Sequence, residues 1–292
     1  MLFAVTLVSS DPDALSAGTH AVAGLNAVVK ETARLGPQAE DLIVEATDRV
    51  TLRAEAEAAV AHLPVDVCVQ PTEGRRKRLL VADMDSTIIG CECIDELADY
   101  AGVKAQIAEI TERAMRGELA FEGALRERVS MLKGLNRSAL QTCFDERVSL
   151  NPGAEVLVKT MAAHGARCVL VSGGFTFFTD RVAIAAGFHD NRANTLLEDG
   201  DVLSGLVGEP ILGRQAKLTA LREEAAALGV TPAEALAIGD GANDLAMIEA
   251  AGLGVAYRAK PVVAAQADAR VDHADLTAML YFQGYRAEEF FA

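Results

Sequence analysis

Three short apolar runs, each stopping at a polar or glycine-rich segment, constrain this chain more than any other feature. Leu79-Leu80-Val81-Ala82 stops at Asp83, Arg167–Val171 at Ser172-Gly173-Gly174, and Ala235–Ile238 at Gly239-Asp240. Stretches with helical character separate them: Ala154–His164, Phe175–Ala186, Lys217–Leu228 and Asp244–Ala251. Strands that are apolar throughout and alternate with helices predict a parallel sheet covered on both faces. Such sheets bind ligands beyond the carboxyl ends of their strands. The three polar segments are therefore expected at one edge.

The stretch between the first two runs carries no strand signal. It reads as four helices, Ile94–Ala101, Val103–Met115, Phe121–Lys133 and Ser138–Arg147, and a helical insertion beside an active edge predicts a cap. Leu-Glu-Asp-Gly-Asp-Val-Leu, centred on Asp199-Gly200, predicts a β-hairpin. Residues 1–74 read as a separate α/β unit. Its expected strands are Leu2–Val8, Asp41–Ala46 and Val65–Val69, and its expected helices are Ala14–Leu35 and Leu52–His62. The basic run Arg75-Arg76-Lys77-Arg78 reads as a solvated linker. The expected division is thus 1–74, a catalytic core of 75–90 with 150–292, and a cap of 91–149.

Composition narrows the function. A chain of 292 residues with 51% hydrophobic residues can build about two domains. A net charge of −15 removes the extended basic surface that nucleic acid requires. No apolar run is long enough to span a bilayer. Five cysteines without a CxxC pair read as reduced thiols, and the N-terminus lacks a secretory pattern, so the expected compartment is the cytoplasm. The five histidines are scattered and suggest no catalytic role.

The chemistry concentrates at the predicted edge. In Asp83-Met84-Asp85-Ser86-Thr87, residues two apart on extended chain point the same way, so both carboxylates can face one ligand. Gly239-Asp240-Gly241-Ala242-Asn243-Asp244 adds two more. Acidic oxygens so gathered repel one another unless a hard cation lies between them, and Mg²⁺ suits an all-oxygen set. Ser172-Gly173-Gly174, opening a helix, offers a hydroxyl and backbone amides to an anion. Lys217 is the accompanying cation. Any one of these segments has an ordinary structural reading; their combination is what carries the chemistry.

In this order and spacing the four segments resemble the motifs of the haloacid dehalogenase superfamily of phosphatases. The likeness sharpens with Glu92-Cys93-Ile94-Asp95-Glu96, the stretch from Thr111 to Leu119, and Ser172-Gly173-Gly174-Phe175-Thr176. These resemble the phosphoserine phosphatases within that superfamily, over about residues 76–285. The resemblance implies a Rossmann-like core with an inserted helical cap and an ACT-like N-terminal domain that is possibly regulatory. It also implies hydrolysis of phosphoserine to serine and phosphate, the last step of serine biosynthesis, through an aspartyl-phosphate.

On these positions it makes Asp83 the nucleophile, Asp85 the acid–base group and Lys217 the charge-balancing cation. Mg²⁺ would be held by Asp83, the Asp85 backbone carbonyl and Asp240, with Asp244 in support. Ser172, Gly173 and Lys217 would take the phosphate, Asn243 would contact substrate or phosphate, and Glu92, Arg128, Phe121 and Met115 would take the rest of the substrate. On a helix, Phe121, Leu125, Arg128 and Leu132 share one face, which makes Arg128 a cation among apolar neighbours. Its ordinary reading is a pair with Glu92 or Glu96; its functional reading is a fork onto the substrate carboxylate, with Glu92 taking the ammonium. Other readings remain: another phosphate ester such as phosphothreonine or a sugar phosphate, a phosphotransferase, or a serine sensor with an idle phosphatase edge. The assembly is left open, a homodimer included.

Overall fold

A computed structural model describes residues 1–115 and 118–291; the side chain of Met115 also lies outside the described residues. The chain opens with β1 (Leu2–Val8), α1 (Pro12–Ala23), β2 (Val28–Gly36), β3 (Ala39–Glu45), α2 (Arg49–Val60) and β4 (Asp66–Pro71). The strands form an antiparallel sheet of order β2-β3-β1-β4, giving a ferredoxin-like βαββαβ unit. Asp11 caps α1 by accepting from the Asp13 and Ala14 amides, and the helix stops at Gly24. Helix therefore does not run on to Leu35 as expected. Val28–Gly36 pairs with β3 instead, because an edge strand with mostly exposed side chains satisfies its backbone through that ladder.

The central sheet has six parallel strands in the order β12-β11-β10-β5-β6-β7. In chain order these are β5 (Leu79–Ala82), β6 (Arg167–Phe175), β7 (Asp190–Asn194), β10 (Ala235–Gly239), β11 (Leu253–Tyr257) and β12 (Ala269–Val271). Between β7 and β10 lie β8 (Leu196–Asp199) and β9 (Val202–Val207), which form the hairpin expected around Gly200. The period-two alternation of strand side chains builds two cores. Leu80, Ala82, Cys168 and Leu170 enter one cluster, while Leu79, Val81, Val169 and Val171 enter the other.

The first cluster packs on α7 (Ala154–Ala163), α8 (Thr176–Ala186) and α11 (Ala278–Phe282), the second on α9 (Arg214–Ala227) and α10 (Leu245–Ala250). The chain steps from β5 to β6 and β7 on one side and later to β10, β11 and β12 on the other. The order thus reverses at β5, and the crevice beside its carboxyl end is where such a sheet takes a ligand. Four helices between β5 and β6 roof this edge: α3 (Cys93–Tyr100), α4 (Lys104–Met115), α5 (Phe121–Ser130) and α6 (Ser138–Arg147). The hairpin reaches them by backbone bonds from Gly134 to Leu203, from Leu203 to Leu135 and from Arg137 to Asp201.

The basic run is a solvated linker only in part: Arg76 and Arg78 are exposed, whereas Arg75 and Lys77 are drawn into the fold. The Arg75 guanidinium forks onto Asp41, at 2.6 and 3.1 Å, and donates to Thr6 and to the Phe282 carbonyl. Lys77 is buried and donates to the Gly74 and Ala233 carbonyls. Arg76 pairs with Glu289 and Arg78 with Glu234. Each charge finds a specific partner on another element, which local composition does not reveal. Asp66 adds to this seam by accepting from the Asp272, His273 and Ala274 amides. Among the described residues, no helix is long and apolar enough to cross a membrane.

Candidate active site

The carboxyl ends of β5, β6 and β10 converge as the sequence predicts. Asp83 leaves β5 with extended backbone, and its amide donates to the Ile238 carbonyl of β10. Its carboxylate accepts from the Met84 amide at 2.7 Å. Asp85 follows with ψ 138, and Ser86 then turns the chain through the left-handed region at φ 54. That reversal sends the chain back toward α3, where the Cys93 amide donates to Asp85 Oδ1 at 2.9 Å. The Ser172 hydroxyl, from β6, donates to Asp85 Oδ2 at 3.0 Å. One Asp85 oxygen is thus fixed by the cap and the other by the sheet.

Asp83, Asp240 and Asp244 form a compact trio whose ligand oxygens lie within 4.8 Å of one another. Lys217 is buried beside it, its Nζ 2.7 Å from Asp83 Oδ1 and 2.5 Å from Asp244 Oδ1. Burial and the nearby Asp244 push the Asp83 carboxyl well above its ordinary range, against the pull of Lys217. Burial and Asp244 likewise raise Asp240. Lys217 is held protonated, because the two carboxylates outweigh its own burial. Three carboxylates against one ammonium leave an anionic hole lined by hard oxygens, and a divalent cation such as Mg²⁺ fits that donor set.

Glycines keep the site open. A Cβ on Gly239 would lie 2.3 Å from Asp244 Cγ, so no side chain fits there while Asp244 keeps its place. A Cβ on Gly174 would come within 2.8 Å of Asp85 Oδ2. One on Gly173 would meet the Phe121 ring at 3.1 Å, so the start of α5 closes over this loop. Asn243 is half-buried beside Gly241.

Glu92 occupies the N-cap position of α3 without a side-chain capping bond, and accepts the Ser86 hydroxyl at 2.7 Å. Although the residue is exposed, desolvation of its carboxyl by the surrounding protein, together with the field of Asp85, pushes it up to about 7. Arg128, on α5, makes no ion pair among the described residues. Its Nε donates only to the Ala124 carbonyl one turn back. Burial lowers its pKa, and Asp95 and Glu92 are the carboxylates whose fields oppose that. The pairings weighed for it go elsewhere: Glu96 sits with Arg147, and Glu92 with Ser86.

Two supports escaped the sequence reading. Thr87 donates to Asp240 Oδ1 at 3.3 Å. Buried Asn194 clamps two loops, donating to the Gly173 and Leu212 carbonyls and accepting from the Leu212 amide. Asn194 ends β7, a polar strand that carries no apolar signal. Thr87 lies inside the Asp83–Thr87 segment, whose spacing does mark it.

Residues 80–249, more than half of the chain, match the model of the haloacid dehalogenase-like hydrolases. The chain belongs to that family. Within it, a curated phosphoserine phosphatase from Polaromonas sp. is 45% identical over 208 residues, covering 70% of this chain and 88% of the relative. One from Archaeoglobus fulgidus is 42% identical over 233 residues, 79% of this chain and 66% of that longer relative. The solved structure of a probable phosphoserine phosphatase from Vibrio cholerae, in unliganded form, has a TM-score of 0.80 at 32% identity. That likeness covers 97% of this chain and 86% of the other. The haloacid dehalogenase fold therefore accounts for the parallel sheet and for the order in which the acidic segments leave it.

Proposed function

We propose that this haloacid dehalogenase-like hydrolase is a phosphoserine phosphatase, releasing serine and phosphate. The observation that carries the substrate is the pair of opposite charges on the cap. Arg128 is a half-buried cation without an ion pair among the described residues, and Glu92 is a carboxylate at the start of α3 within the field of Asp85. A phosphorylated amino acid supplies a carboxylate for the first and an ammonium for the second.

The residues divide the chemistry. Asp83 attacks phosphorus in line and becomes the aspartyl-phosphate. Asp85, held by the Cys93 amide and the Ser172 hydroxyl, gives its proton to the departing serine oxygen and later takes one from the hydrolytic water. Ser172 and the Gly173 amide hold phosphoryl oxygens, Asn243 assists, and Phe121 closes the loop side. Lys217 offsets negative charge as it builds on the phosphoryl group. Asp83, the Asp85 carbonyl, Asp240 and Asp244 would hold Mg²⁺. When bound, the ion supplies further charge neutralisation and allows the Asp83 carboxylate to stay ionised.

We read residues 1–74 as an ACT-like regulatory unit on the strength of their βαββαβ order. Residues 75–90 with 150–292 are read as the catalytic core, and 91–149 as the cap. Five free thiols accord with a cytoplasmic setting. Phosphate release from phosphoserine, phosphothreonine, a sugar phosphate and an aryl phosphate tests the reading. A clear preference for phosphoserine is expected, and equal turnover of all four would remove the role given to the cap.

A further inference from the structure

Two thiols flank Glu92, and the chemistry described above uses neither. All five cysteines are free; Cys68, Cys93, Cys143 and Cys168 are buried, and Cys91 alone is partly exposed. Glu92 between them has extended backbone, so the Cys91 and Cys93 side chains leave the chain on the same side. The Cys93 backbone amide holds Asp85 Oδ1 at 2.9 Å. Cys143, on α6, lies within the electrostatic reach of Cys91 as a third thiol.

A disulfide needs Cα atoms about 4.4–6.8 Å apart. Residues two apart on a fully extended chain span at most about 7 Å. Glu92, between the two cysteines, has φ −98 and ψ 107, so the chain here is already curled short of full extension. Closing the pair then requires a local backbone rotation and no movement of whole elements. That rotation falls on the residue that carries the Glu92 carboxylate and on the amide that positions Asp85.

We propose that Cys91 and Cys93 are a peroxide-oxidisable dithiol whose closure switches the enzyme off by withdrawing the Cys93 amide from Asp85 and Glu92 from the cleft. The loss of activity rests on the acid–base role read for Asp85; the oxidation itself does not. Hydrogen peroxide is the oxidant. The partly exposed Cys91 sulfur attacks one peroxide oxygen, the O–O bond breaks, and water leaves with the thiol proton, giving a sulfenic acid. The Cys93 sulfur then attacks the Cys91 sulfur, the S–O bond breaks, and a second water departs with the Cys93 proton. Two thiols are oxidised to one disulfide and one peroxide is reduced to two waters. A thiol reductant reverses the change by exchange.

The sequence makes the test direct. Tryptic cleavage after Arg78 and Lys104 gives a peptide, 79–104, that contains both thiols and no other cysteine, while Cys143 falls in peptide 138–147. The full-length protein is treated with hydrogen peroxide, alkylated and mapped. The expected product is peptide 79–104 lighter by two hydrogens and closed to alkylation. Phosphate release should fall at least about tenfold from phosphoserine and from p-nitrophenyl phosphate alike, because Asp85 serves both, and dithiothreitol should restore it. Cys91→Ser should keep its untreated activity and lose the reversible inactivation. Loss of aryl-phosphate turnover on closure supports the switch whatever the natural substrate is. Closure without loss of activity overturns it, as does a Cys91–Cys143 link, two thiols that still alkylate after peroxide, or a Cys91→Ser enzyme inactivated as reversibly as the parent.

Discussion

Replacing Arg128 by Ala isolates the charge that the cap offers to the substrate carboxylate. The guanidinium spends one hydrogen bond on the Ala124 carbonyl and has no carboxylate partner among the described residues. Its removal therefore strands no buried anion, and the fold should survive. What is lost is a charge-assisted fork in a desolvated cleft, worth about 2–4 kcal/mol when one partner is truncated. That corresponds to a fall of roughly 30- to 1,000-fold in kcat/KM for phosphoserine. The assay is phosphate release from phosphoserine, phosphoethanolamine and p-nitrophenyl phosphate. Phosphoethanolamine keeps the ammonium and lacks the carboxylate, so Arg128→Ala should spare it, whereas Glu92→Gln should impair both amine substrates. Neither change should much affect the aryl phosphate. Equal losses on all three would refute the reasoning and make Arg128 a support of the cap.

The remaining expectations test other parts of the structure. Because Glu92 is pushed up to about 7, it is protonated below that pH and cannot pair with an ammonium. The ratio of kcat/KM on phosphoserine to that on p-nitrophenyl phosphate should fall as pH drops through 7 in the parent and stay flat in Glu92→Gln. Mg²⁺ at about a hundred times its Kd should stabilise the fold by about 2.7 kcal/mol in thermal melts, and Asp240→Asn should remove most of that gain. Arg75→Ala leaves the buried Asp41 carboxylate with only the Thr6 hydroxyl among its side-chain partners, so urea unfolding should show a loss of about 3–5 kcal/mol. A loss below about 1 kcal/mol would mean that this seam is not the anchor its geometry describes.

The catalytic edge was readable because its signals are local. An apolar run ending in Asp83, a Ser-Gly-Gly turn after Val171 and Gly239-Asp240 after Ile238 each announce a strand end, and parallel-sheet topology does the rest. The cap helices were readable from periodicity, with boundaries shifted by up to three residues. Strands β11 and β12 were not read, and three further features carry little local signal. The edge strand Val28–Gly36 follows a helix after a short break at Gly24–Ala27, and its exposed, mixed side chains carry little apolar alternation. Its identity comes from its ladder with β3. Strand β7 is polar and is placed by pairing with β6. The run Arg75–Arg78 looks solvated because its partners, Asp41, Phe282, Glu234 and Glu289, are distant in sequence. Composition reports charge, and only tertiary structure reports what meets it.

The nucleophile is the centre of this account, and a covalent label tests it most directly. The enzyme, with Mg²⁺ and phosphoserine labelled in its phosphoryl group, is quenched in acid during turnover, digested and mapped. The account predicts a hydroxylamine-labile label on peptide 79–104 at Asp83, and an Asp83→Asn enzyme that is folded, unlabelled and slower by several orders of magnitude. Label on Ser172, or an Asp83→Asn enzyme that turns over phosphoserine at the parent rate, would contradict it.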